Sequence, residues 1–306
     1  FDGTLNYLYL LAFATKNSSN DAYTLKEMLK QDDTIKFYKA MTTEIEARNS
    51  RNHWTPIPRP SLPSGVKIIM SIWSFKRKRL PDGSILKYKA RLCAHGGMQR
   101  WGVDYWETYS PVVNWISVRL LFSLTQILNL ESRSIEFSLA FPQAELNEDI
   151  YIELRHGFDF EGNRTHVLKL NKSLYGLKQS SSNWFHFLTK GLEDRKFIPS
   201  KIDPCICYKE DCIVLIYVDN CIIFSKSKSV INSFIYSLVN GKEKYVLTDE
   251  GEIDKYLGVD IVKTKDSTSM IQPYLIQRCL NEMGIMDDMN IKKTPASKSL
   301  LHRDKE

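Results

Sequence analysis

Two acidic side chains near the middle of the chain could hold metal ions. The apolar runs Ile213–Val218 and Cys221–Phe224 are separated only by Asp219-Asn220, which predicts a tight hairpin with a carboxylate at its tip. A second acid, Glu136, lies in a strand-like segment, Arg133–Phe141. Two Mg²⁺ ions about 3.5–4 Å apart require shared, rigidly held carboxylates, which neighbouring strands supply better than loops. The pattern alone leaves open that Asp-Asn is an ordinary turn pair and that Glu136 faces solvent.

Three cysteines close to this hairpin are a second candidate for metal binding. Cys205-x-Cys207 with Cys212 fits no common zinc spacing, and no histidine lies near them in the sequence. Six cysteines in 306 residues are also too few for a disulfide scaffold. We therefore predict buried thiols in adjacent strands, with a zinc site as the lesser alternative.

The positive charge of the chain is concentrated in one segment. The chain carries 42 Lys and Arg against 36 Asp and Glu, a net charge of +6, but residues 51–100 carry +10 and the remainder −4. The eleven basic residues of this segment are Arg51, Arg59, Lys67, Lys76, Arg77, Lys78, Arg79, Lys87, Lys89, Arg91 and Arg100. Segregated charge of this kind predicts a face that meets a polyanion, and a solvated basic hairpin is the alternative.

Composition excludes several classes of protein. Hydrophobic residues make up 43% and charged residues 25% of the chain, as in a globular protein and unlike a disordered or fibrous one. No apolar run reaches the roughly 18 residues that a membrane span needs, so we predict no membrane partner. The apolar stretch Tyr7–Ala14 lacks a basic flank and a cleavage site, which makes it a poor signal peptide. The chain begins at Phe1, so we treat it as a fragment from which targeting cannot be read.

Helical signals occur along the whole chain. Thr24-Leu-Lys-Glu27 is a capping box that predicts a helix start, and a second helix is predicted over 33–49. The apolar face predicted for that second helix consists of Ile35, Tyr38, Met41 and Ile45. Four prolines between positions 56 and 63 predict a linker without regular structure. Further helices are predicted over 115–130, 177–192 and 228–240.

Strand signals alternate with these helices. Two long strand-like runs, Lys67–Lys78 and Ile85–Cys93, flank Leu80-Pro-Asp-Gly83, a strong hairpin signal. The remaining predicted strands are Asp149–Leu154, His166–Leu170, Cys205–Tyr208, 245–248, 256–263 and 269–272, besides those around Glu136 and Asp219. Mixed helices and strands in this order predict an α+β fold.

Five ordered sequence blocks carry a family resemblance. Tyr217-Val-Asp-Asn220 resembles the Tyr-x-Asp-Asp box of reverse transcriptases, and the chain as a whole resembles the polymerase of Ty1/copia-type LTR retrotransposons. The other blocks, in the order and spacing of that family, are Tyr88-Lys-Ala-Arg-Leu92, Asp104-Tyr-Trp-Glu-Thr-Tyr-Ser-Pro-Val-Val113, Ser173-Leu-Tyr-Gly-Leu-Lys-Gln179 and Tyr256-Leu-Gly258. The stretch from Leu25 to Trp54 resembles the lead-in to the same domain.

The resemblance implies a right-hand polymerase fold with fingers, a ferredoxin-like palm and an incomplete thumb. By position, residues 1–63 would be a helical lead-in with a proline-rich linker, and 64–132 the fingers. The palm would span 133–262, with a fingers-like insertion near 149–185, and 263–306 would begin the thumb or connection. The family's partners would be a primer–template of RNA or DNA and deoxynucleoside triphosphates, with two Mg²⁺ ions, or Mn²⁺, as cofactors. Expression of such a polyprotein would place it inside the cell, in a cytoplasmic virus-like particle or the nucleus. The sequence indicates no oligomeric state.

Site residues follow from the resemblance by position. The residues implied to hold metal and catalyse nucleotidyl transfer are Glu136, Asp219 and Asn220, with Glu136 and Asp219 as the metal ligands. The residues implied to bind the nucleotide are Lys89, Arg91, Phe141, Tyr175, Gly176 and Gln179, with Phe141 as the aromatic gate against a 2′-hydroxyl. The residues implied to lie near the primer or template are Tyr217, Tyr256, Leu257 and Gly258. Without the resemblance, Phe141 is better interpreted as a core residue.

Two departures from the family separate two hypotheses about function. The family has Asp where this chain has Glu136 and Asn220, so Asp219 alone stands unchanged. Glu136 adds one methylene, and Asn220 loses a charge, both unfavourable for Mg²⁺ geometry and charge neutralisation. The leading hypothesis is an RNA-directed DNA polymerase with impaired catalysis. The alternative is a catalytically inactive relic that at most binds nucleic acid. A different palm-like nucleotidyl enzyme, such as a cyclase, is disfavoured by the basic hairpin and the 173–179 block.

Overall fold

A computed structural model describes residues 21–79, 84–153, 165–264 and 266–284. The helices within these ranges are α1 (Leu25–Met28), α2 (Thr34–Asn49), α3 (Trp115–Ile127), α4 (Ala140–Gln143), α5 (Ser180–Asp194), α6 (Lys228–Asn240) and α7 (Pro273–Glu282). The strands are β1 (Ala22–Thr24), β2 (Trp54–Pro58), β3 (Ile68–Arg79), β4 (Ile85–Ala94), β5 (Glu131–Phe137), β6 (Tyr151–Glu153), β7 (His166–Leu170), β8 (Ile198–Pro199), β9 (Ile206–Lys209), β10 (Cys212–Tyr217), β11 (Asn220–Ser225), β12 (Leu247–Gly251), β13 (Lys255–Tyr256), β14 (Val259–Lys263) and β15 (Thr268–Ile271).

Some predicted features cannot be compared with the structure. The apolar stretch Tyr7–Ala14, the turn Leu80–Gly83 and residues 285–306 of the predicted connection lie outside the described residues. Among the helices that are described, none has both the length and the apolar character required to cross a membrane.

The strands form three sheets, and their order in space differs from their order in the chain. The first sheet has the order β1-β3-β6-β7-β2 with β4 paired to β3, the second β12-β5-β11-β10-β9-β8, and the third β13-β14-β15. The chain passes from the first sheet to the second between β4 and β5. It then returns to the first, where β6 pairs in parallel with β3. The predicted mixture of helices and strands is confirmed.

Helix α2 packs on the first sheet through a face that shares Met41 and Ile45, but not Ile35 and Tyr38, with the predicted one. The buried face is Phe37, Met41 and Ile45, whereas Ile35 and Tyr38 are exposed. The ring of Phe37 meets Phe75 and Tyr88 edge-on at centroid distances of 5.6 and 5.0 Å. Both stripes have helical spacing, so only the position of the sheet determines which of them is covered.

The proline-rich stretch is partly a strand, which corrects the prediction of an irregular linker. Pro56 and Pro58 lie in β2, which pairs with β7 and is the edge strand of the first sheet. The two prolines alternate with Thr55 and Ile57, so their missing N–H groups fall on the same side of the strand. An edge strand tolerates this because that side needs no ladder hydrogen bonds.

A buried aromatic cluster lies between the second sheet and helix α5. Trp184 meets Phe137 at a centroid distance of 5.1 Å and Tyr245 at 6.3 Å. The predicted strand 133–141 ends at Phe137, because Leu139 adopts a left-handed conformation with φ 52° that starts the short helix α4. Phe141 therefore lies in a helical turn after the strand rather than in it.

The loop over residues 173–179 joins the end of the first sheet to α5. Its backbone lies directly against the end of strand β4. Tyr175 accepts a hydrogen bond from the backbone N–H of Ala94 at 2.7 Å. Gly176 has φ 89°, and a Cβ atom there would lie 2.2 Å from the carbonyl oxygen of Ala94. A Cβ at Gly96 would lie 2.1 Å from the carbonyl oxygen of Gly176. Only glycine at both positions allows the loop and strand β4 to approach this closely.

We expect Gly176→Ala to destabilise the protein by about 3 kcal/mol or more, because it adds a backbone clash to the strain of a positive φ. The matched control is Gly251→Ala, since Gly251 has a similar φ of 86° but open space around its Cβ position. Strain alone predicts a loss of about 1 kcal/mol there. Chemical denaturation of the two variants measures the difference, and equal losses would contradict the close approach.

Candidate metal and nucleotide site

The hairpin that carries Asp219 turns one residue earlier than predicted. Tyr217 and Asn220 are paired in the β10–β11 ladder, so the two turn residues are Val218 and Asp219 rather than Asp219 and Asn220. Val218 has φ 54°, a conformation that a β-branched residue adopts only under strain. We call Val218–Asp219 the acid turn. Asn220 is the first residue of β11, and its side chain therefore belongs to the sheet.

Strand register brings Glu136 next to the acid turn. Glu136 on β5 lies directly across the ladder from Asn220 on β11. The backbone N–H of Phe137 donates to the carbonyl oxygen of Asp219 at 2.7 Å. Residues directly opposite in an antiparallel pair point to the same face, so Glu136 and Asn220 share one face beside Asp219. The structure thus brings the three predicted catalytic positions together.

The two carboxylates have few protein partners. Within the described residues, Glu136 forms no hydrogen bond or salt bridge through its side chain, and Asp219 accepts one hydrogen bond, from the Asn220 side-chain amide at 3.3 Å. Half-buried carboxylates whose oxygens accept few hydrogen bonds from the protein suit a hard divalent ion. No group of three or more His, Cys, Asp and Glu side chains able to hold a metal occurs among the described residues. The donor set therefore fits Mg²⁺ with two carboxylates rather than three.

A buried tryptophan on α5 supports the acid turn through a hydrogen bond. The indole N–H of Trp184 donates to the carbonyl oxygen of Val218 at 2.6 Å. Together with the bond from Phe137 to Asp219, this contact fixes both carbonyl groups of the turn. The two hydrogen bonds oppose relaxation of the strained Val218, and the Asp219 carboxylate is held in place as a result. Trp184 is buried on α5, and no sequence pattern indicated this role.

A set of cations lines one face of the hairpin formed by β3 and β4. Because side chains alternate along a strand, five basic residues point to the face opposite α2, and we call this set the basic face: Lys76, Lys78, Lys87, Lys89 and Arg91. Lys76 lies directly across from Lys89, and Lys78 from Lys87. Like charges directly opposite are destabilising, so the fold itself gains nothing from this arrangement.

Other arginines of the basic segment are neutralised within the protein. Arg77 donates to both carboxylate oxygens of Asp33 at 2.9 and 2.6 Å, and Arg79 donates to Asp21 at 2.6 and 2.9 Å. Arg59 pairs with Glu153, and Arg100 forms a longer contact of 3.3 Å with Asp104 and stays partly exposed. The charge available to a polyanion is therefore smaller than +10 and is concentrated on the basic face.

Lys89 is the most perturbed cation of the basic face. Burial lowers the pKa of Lys89 to about 8, helped by the charges of Arg91, Lys78 and Lys87 and opposed by that of Glu136. Glu136 is near enough to Lys89 for its charge to act on this lysine, and we call the region between the basic face and the acid turn the cleft. Lys89 and Arg91, which the sequence predicts to bind a nucleotide's phosphates, both belong to the basic face on this side of the cleft.

Tyr175 joins the first sheet to the second within this cleft. Its ring lies 5.1 Å from the Arg91 guanidinium and 5.1 Å from the ring of Phe141. Burial raises the pKa of Tyr175, the charge of Arg91 opposes this shift, and the charge of Asp219 adds to it. Tyr175, Phe141 and Arg91 therefore form one contiguous wall. Phe141 is partly buried and packs against the core of the second sheet, in agreement with its interpretation as a core residue, while the gate role stays a prediction.

A buried ion pair from α2 supports this wall, and no motif in the sequence predicted it. Arg48 is completely buried and donates to Glu44, while Glu44 also accepts from the backbone N–H of Leu92 at 3.3 Å. The Arg48 guanidinium lies 5.9 Å from the Tyr175 ring, the same ring that Arg91 contacts. The signal that could have revealed it is the i, i+4 spacing of an acid and a base on an otherwise apolar helix face.

Gln179 does not lie in the open cleft. It is only 2% exposed, and its side-chain amide is engaged by Gln99 at 2.9 Å, the carbonyl oxygen of Asp104 at 2.9 Å and Glu148 at 3.2 Å. A side chain with these bonds supports the 173–179 loop from inside. Gly176, in contrast, is exposed beside Tyr175.

Three of the four residues predicted to lie near the primer or template, Tyr256, Leu257 and Gly258, lie in a separate hairpin. Leu257 and Gly258, with φ 51° and 78°, form the two-residue turn between β13 and β14. Tyr256 is buried and meets the ring of Tyr217 at a centroid distance of 6.4 Å. Its hydroxyl has no hydrogen-bond partner within the described residues. The pair connects this hairpin to the strand that leads into the acid turn.

The cysteines near the hairpin are buried thiols, as predicted. Burial raises the pKa of Cys205 and Cys212 to about 12 and that of Cys207 to about 11. Such thiols stay protonated at neutral pH, which disfavours metal binding. The zinc alternative finds no support in the described residues.

Trp184→Phe tests the support of the acid turn. Loss of the indole N–H leaves the Val218 carbonyl unsatisfied, so we expect a loss of about 1–3 kcal/mol in unfolding free energy. We also expect faster amide hydrogen exchange at the turn and at Cys221. The matched control is Tyr245→Phe, which removes a bond to the Phe187 carbonyl from the same aromatic cluster. Equal exchange at the turn in the two variants would show that Trp184 contributes packing only.

Comparison with known proteins identifies the family. Residues 54–298 match the family model described as reverse transcriptase (RNA-dependent DNA polymerase). The chain is 32% identical over 269 residues to the retrovirus-related Pol polyprotein from transposon TNT 1-94 of Nicotiana tabacum, covering 86% of this chain and 20% of that protein. It is 33% identical over 225 residues to the corresponding polyprotein from transposon RE1 of Arabidopsis thaliana, covering 72% and 15%.

A yeast relative extends the same comparison. The Transposon Ty1-NL2 Gag-Pol polyprotein of Saccharomyces cerevisiae is 26% identical over 237 residues, covering 76% of this chain and 13% of that protein. The chain spans a fifth or less of the length of these curated relatives. The five sequence blocks, the match over most of the chain and these relatives agree with one another. The chain belongs to the reverse transcriptase family, as the reverse transcriptase domain of a Ty1/copia-type retrotransposon polyprotein.

Proposed function

We propose that this domain carries out RNA-directed DNA synthesis by two-metal nucleotidyl transfer, with impaired catalysis. The first sheet, including the insertion that contributes β6 and β7, corresponds to the fingers. The second sheet corresponds to the palm, and the chain after β14 begins a thumb or connection. The observation that carries the proposal is the strand register that sets Glu136 beside Asp219, opposite a face of closely spaced cations.

The chain's own residues divide the reaction between two sides of the cleft. Glu136 and Asp219 would hold two Mg²⁺ ions, which when bound would neutralise phosphate charge and lower the pKa of the primer 3′-hydroxyl. Lys89 and Arg91 bind the triphosphate, Lys89 as a point charge and Arg91 through a fork of N–H donors. Phe141 and Tyr175 contact the sugar and base, where the Phe141 ring limits space at the 2′ position. The primer–template lies along the basic face.

The side chain of Asn220 is unfavourable for metal binding and therefore for catalysis. It keeps an oxygen but lacks a charge, and its amide nitrogen donates to the Asp219 carboxylate. A donor at this point competes with a metal for the same oxygen and leaves the site one negative charge short of the family pattern. This observation also favours the second candidate function, an inactive domain that binds primer–template without extending it.

Primer extension with Mg²⁺ and with Mn²⁺ distinguishes the two candidates. We expect weak extension by the unaltered domain and a gain of at least about tenfold for Glu136→Asp combined with Asn220→Asp, because each change restores carboxylate geometry or charge. Asp219→Asn is the negative control. Extension by the unaltered domain at the level of the double variant would overturn the impairment. No extension by either, with primer–template binding intact, would support the inactive domain.

The pKa of Lys89 predicts how triphosphate binding depends on pH. A lysine is charged below its pKa, so raising the pH from 7 to 9 through a pKa of about 8 removes the charge that binds phosphate. We expect affinity for inorganic tripolyphosphate, measured by calorimetry, to fall by up to about tenfold over this interval.

Lys89→Arg is the matched control for this dependence, because a guanidinium stays charged throughout the interval. It should flatten the pH profile while keeping the affinity at pH 7. Lys89→Gln should lower the affinity at pH 7 and approach the affinity of the unaltered protein near pH 9, where Lys89 has lost its charge. A decline in Lys89→Arg as steep as in the unaltered protein would place the titrating group elsewhere.

A further inference from the structure

Two tryptophans are exposed side by side on a loop next to the cleft. Trp101 is 70% exposed and Trp106 is 62% exposed, and their rings meet edge-on at a centroid distance of 6.0 Å. We call residues 99–106 the aromatic loop. Large apolar side chains exposed together in water commonly mark a surface that binds something.

The aromatic loop is internally braced, so the exposed rings have fixed positions. The backbone N–H of Arg100 donates to the Asp104 carboxylate at 2.6 Å, and that of Asp104 donates to the Arg100 carbonyl at 2.9 Å. Gly102, with φ 78°, donates from its N–H to the carbonyl of Tyr105 at 2.9 Å. A platform of rings held in this way loses little conformational entropy when a ligand binds.

The same loop is fastened to the nucleotide side of the cleft. Gln99 donates to the Gln179 side chain at 2.9 Å and accepts from the backbone N–H of Lys178 at 2.8 Å. Gln179 in turn donates to the Asp104 carbonyl at 2.9 Å. The exposed rings therefore occupy a set position relative to the 173–179 loop that presents Tyr175.

The surroundings of the rings favour nucleic acid over protein as the ligand. The Lys178 ammonium lies 5.2 Å from the Tyr105 ring, and the Arg100 side chain, which pairs with Asp104 at 3.3 Å, is still 45% exposed next to Trp101 in the sequence. The neighbouring acid Glu107 is turned toward the backbone N–H groups of the two residues that follow it. Flat aromatic faces next to cations are what single-stranded nucleic acid binds, through base stacking and phosphate contacts.

We propose that Trp101 and Trp106 form a stacking site for unpaired bases of the template strand ahead of the nucleotide site. The proposal rests on the proposed function, since it takes the cleft as the place where the primer–template lies. The aromatic loop is hydrogen-bonded to the 173–179 loop of the cleft. We therefore take the ligand to be the unpaired part of the template strand rather than an unconnected oligonucleotide.

The test compares two duplexes of equal paired length, one blunt and one with a six-nucleotide 5′ template overhang. We expect the unaltered domain to bind the overhang duplex about tenfold more tightly in fluorescence anisotropy, a gain of the size that base–aromatic stacking provides. An overhang of abasic nucleotides keeps the phosphates but lacks bases, so it should lose most of this gain. That comparison needs no change to the protein.

Variants assign the gain to the two rings. Trp101→Ala with Trp106→Ala should abolish the overhang gain and leave blunt-duplex affinity unchanged, whereas Phe at both positions should keep most of it. Trp115→Ala is the matched control, because Trp115 is also exposed, at 40%, but lies on α3 outside the loop. Thermal unfolding of each variant confirms that it is folded.

The outcomes separate this proposal from the proposed function. An overhang gain that survives in the Ala variant, or that abasic nucleotides reproduce, would overturn the stacking site. Self-association in sedimentation that disappears in the Ala variant, with the overhang gain intact, would show instead that the rings form a protein interface. Failure of the unaltered domain to bind even the blunt duplex would count against the proposed function itself.

Discussion

The pairing of β5 with β11 is the constraint on which the candidate site depends. Glu136 lies across from Asn220, and the N–H of Phe137 reaches the carbonyl of Asp219. A shift of one residue in this register would turn Glu136 to the opposite face of the sheet and separate the two carboxylates. The buried face of the same strands prevents that shift, because it would expose Ile135 and Phe137 to water. The core thus specifies the position of the acids.

The acid turn combines a strained backbone at Val218 with two hydrogen bonds that hold its carbonyl groups. A valine with positive φ is unfavourable, yet it lets a two-residue turn present Asp219 at the end of two buried strands. The indole of Trp184 and the β5 backbone bind the two carbonyl groups of this turn from opposite directions. A carboxylate that is held by backbone contacts, rather than by a counter-ion, keeps its oxygens available for metal.

The two sides of the cleft are joined through backbone contacts rather than through a large apolar interface. The glycines at 96 and 176 allow the 173–179 loop to lie directly against the end of β4. The buried pair of Glu44 and Arg48 then connects α2 to both β4 and Tyr175. Since a buried charge pair is costly to break by removing one partner, this contact fixes the lead-in helix relative to the nucleotide wall. The lead-in is consequently part of the pocket's support.

The sequence by itself determined the mixed fold, the hairpin with an acid at its turn, the concentration of positive charge in one segment and the buried thiols. These follow from local patterns, because the period of apolar residues and the turn residues lie within a few positions of one another. Tertiary structure decided which of two helical stripes is buried, that Pro56 lies in an edge strand, and that Gln179 is engaged internally. It also decided that Arg77 is neutralised by Asp33 whereas Lys89 faces Glu136. The physical reason is that burial and charge pairing depend on partners tens of residues away, whose distance no local pattern records.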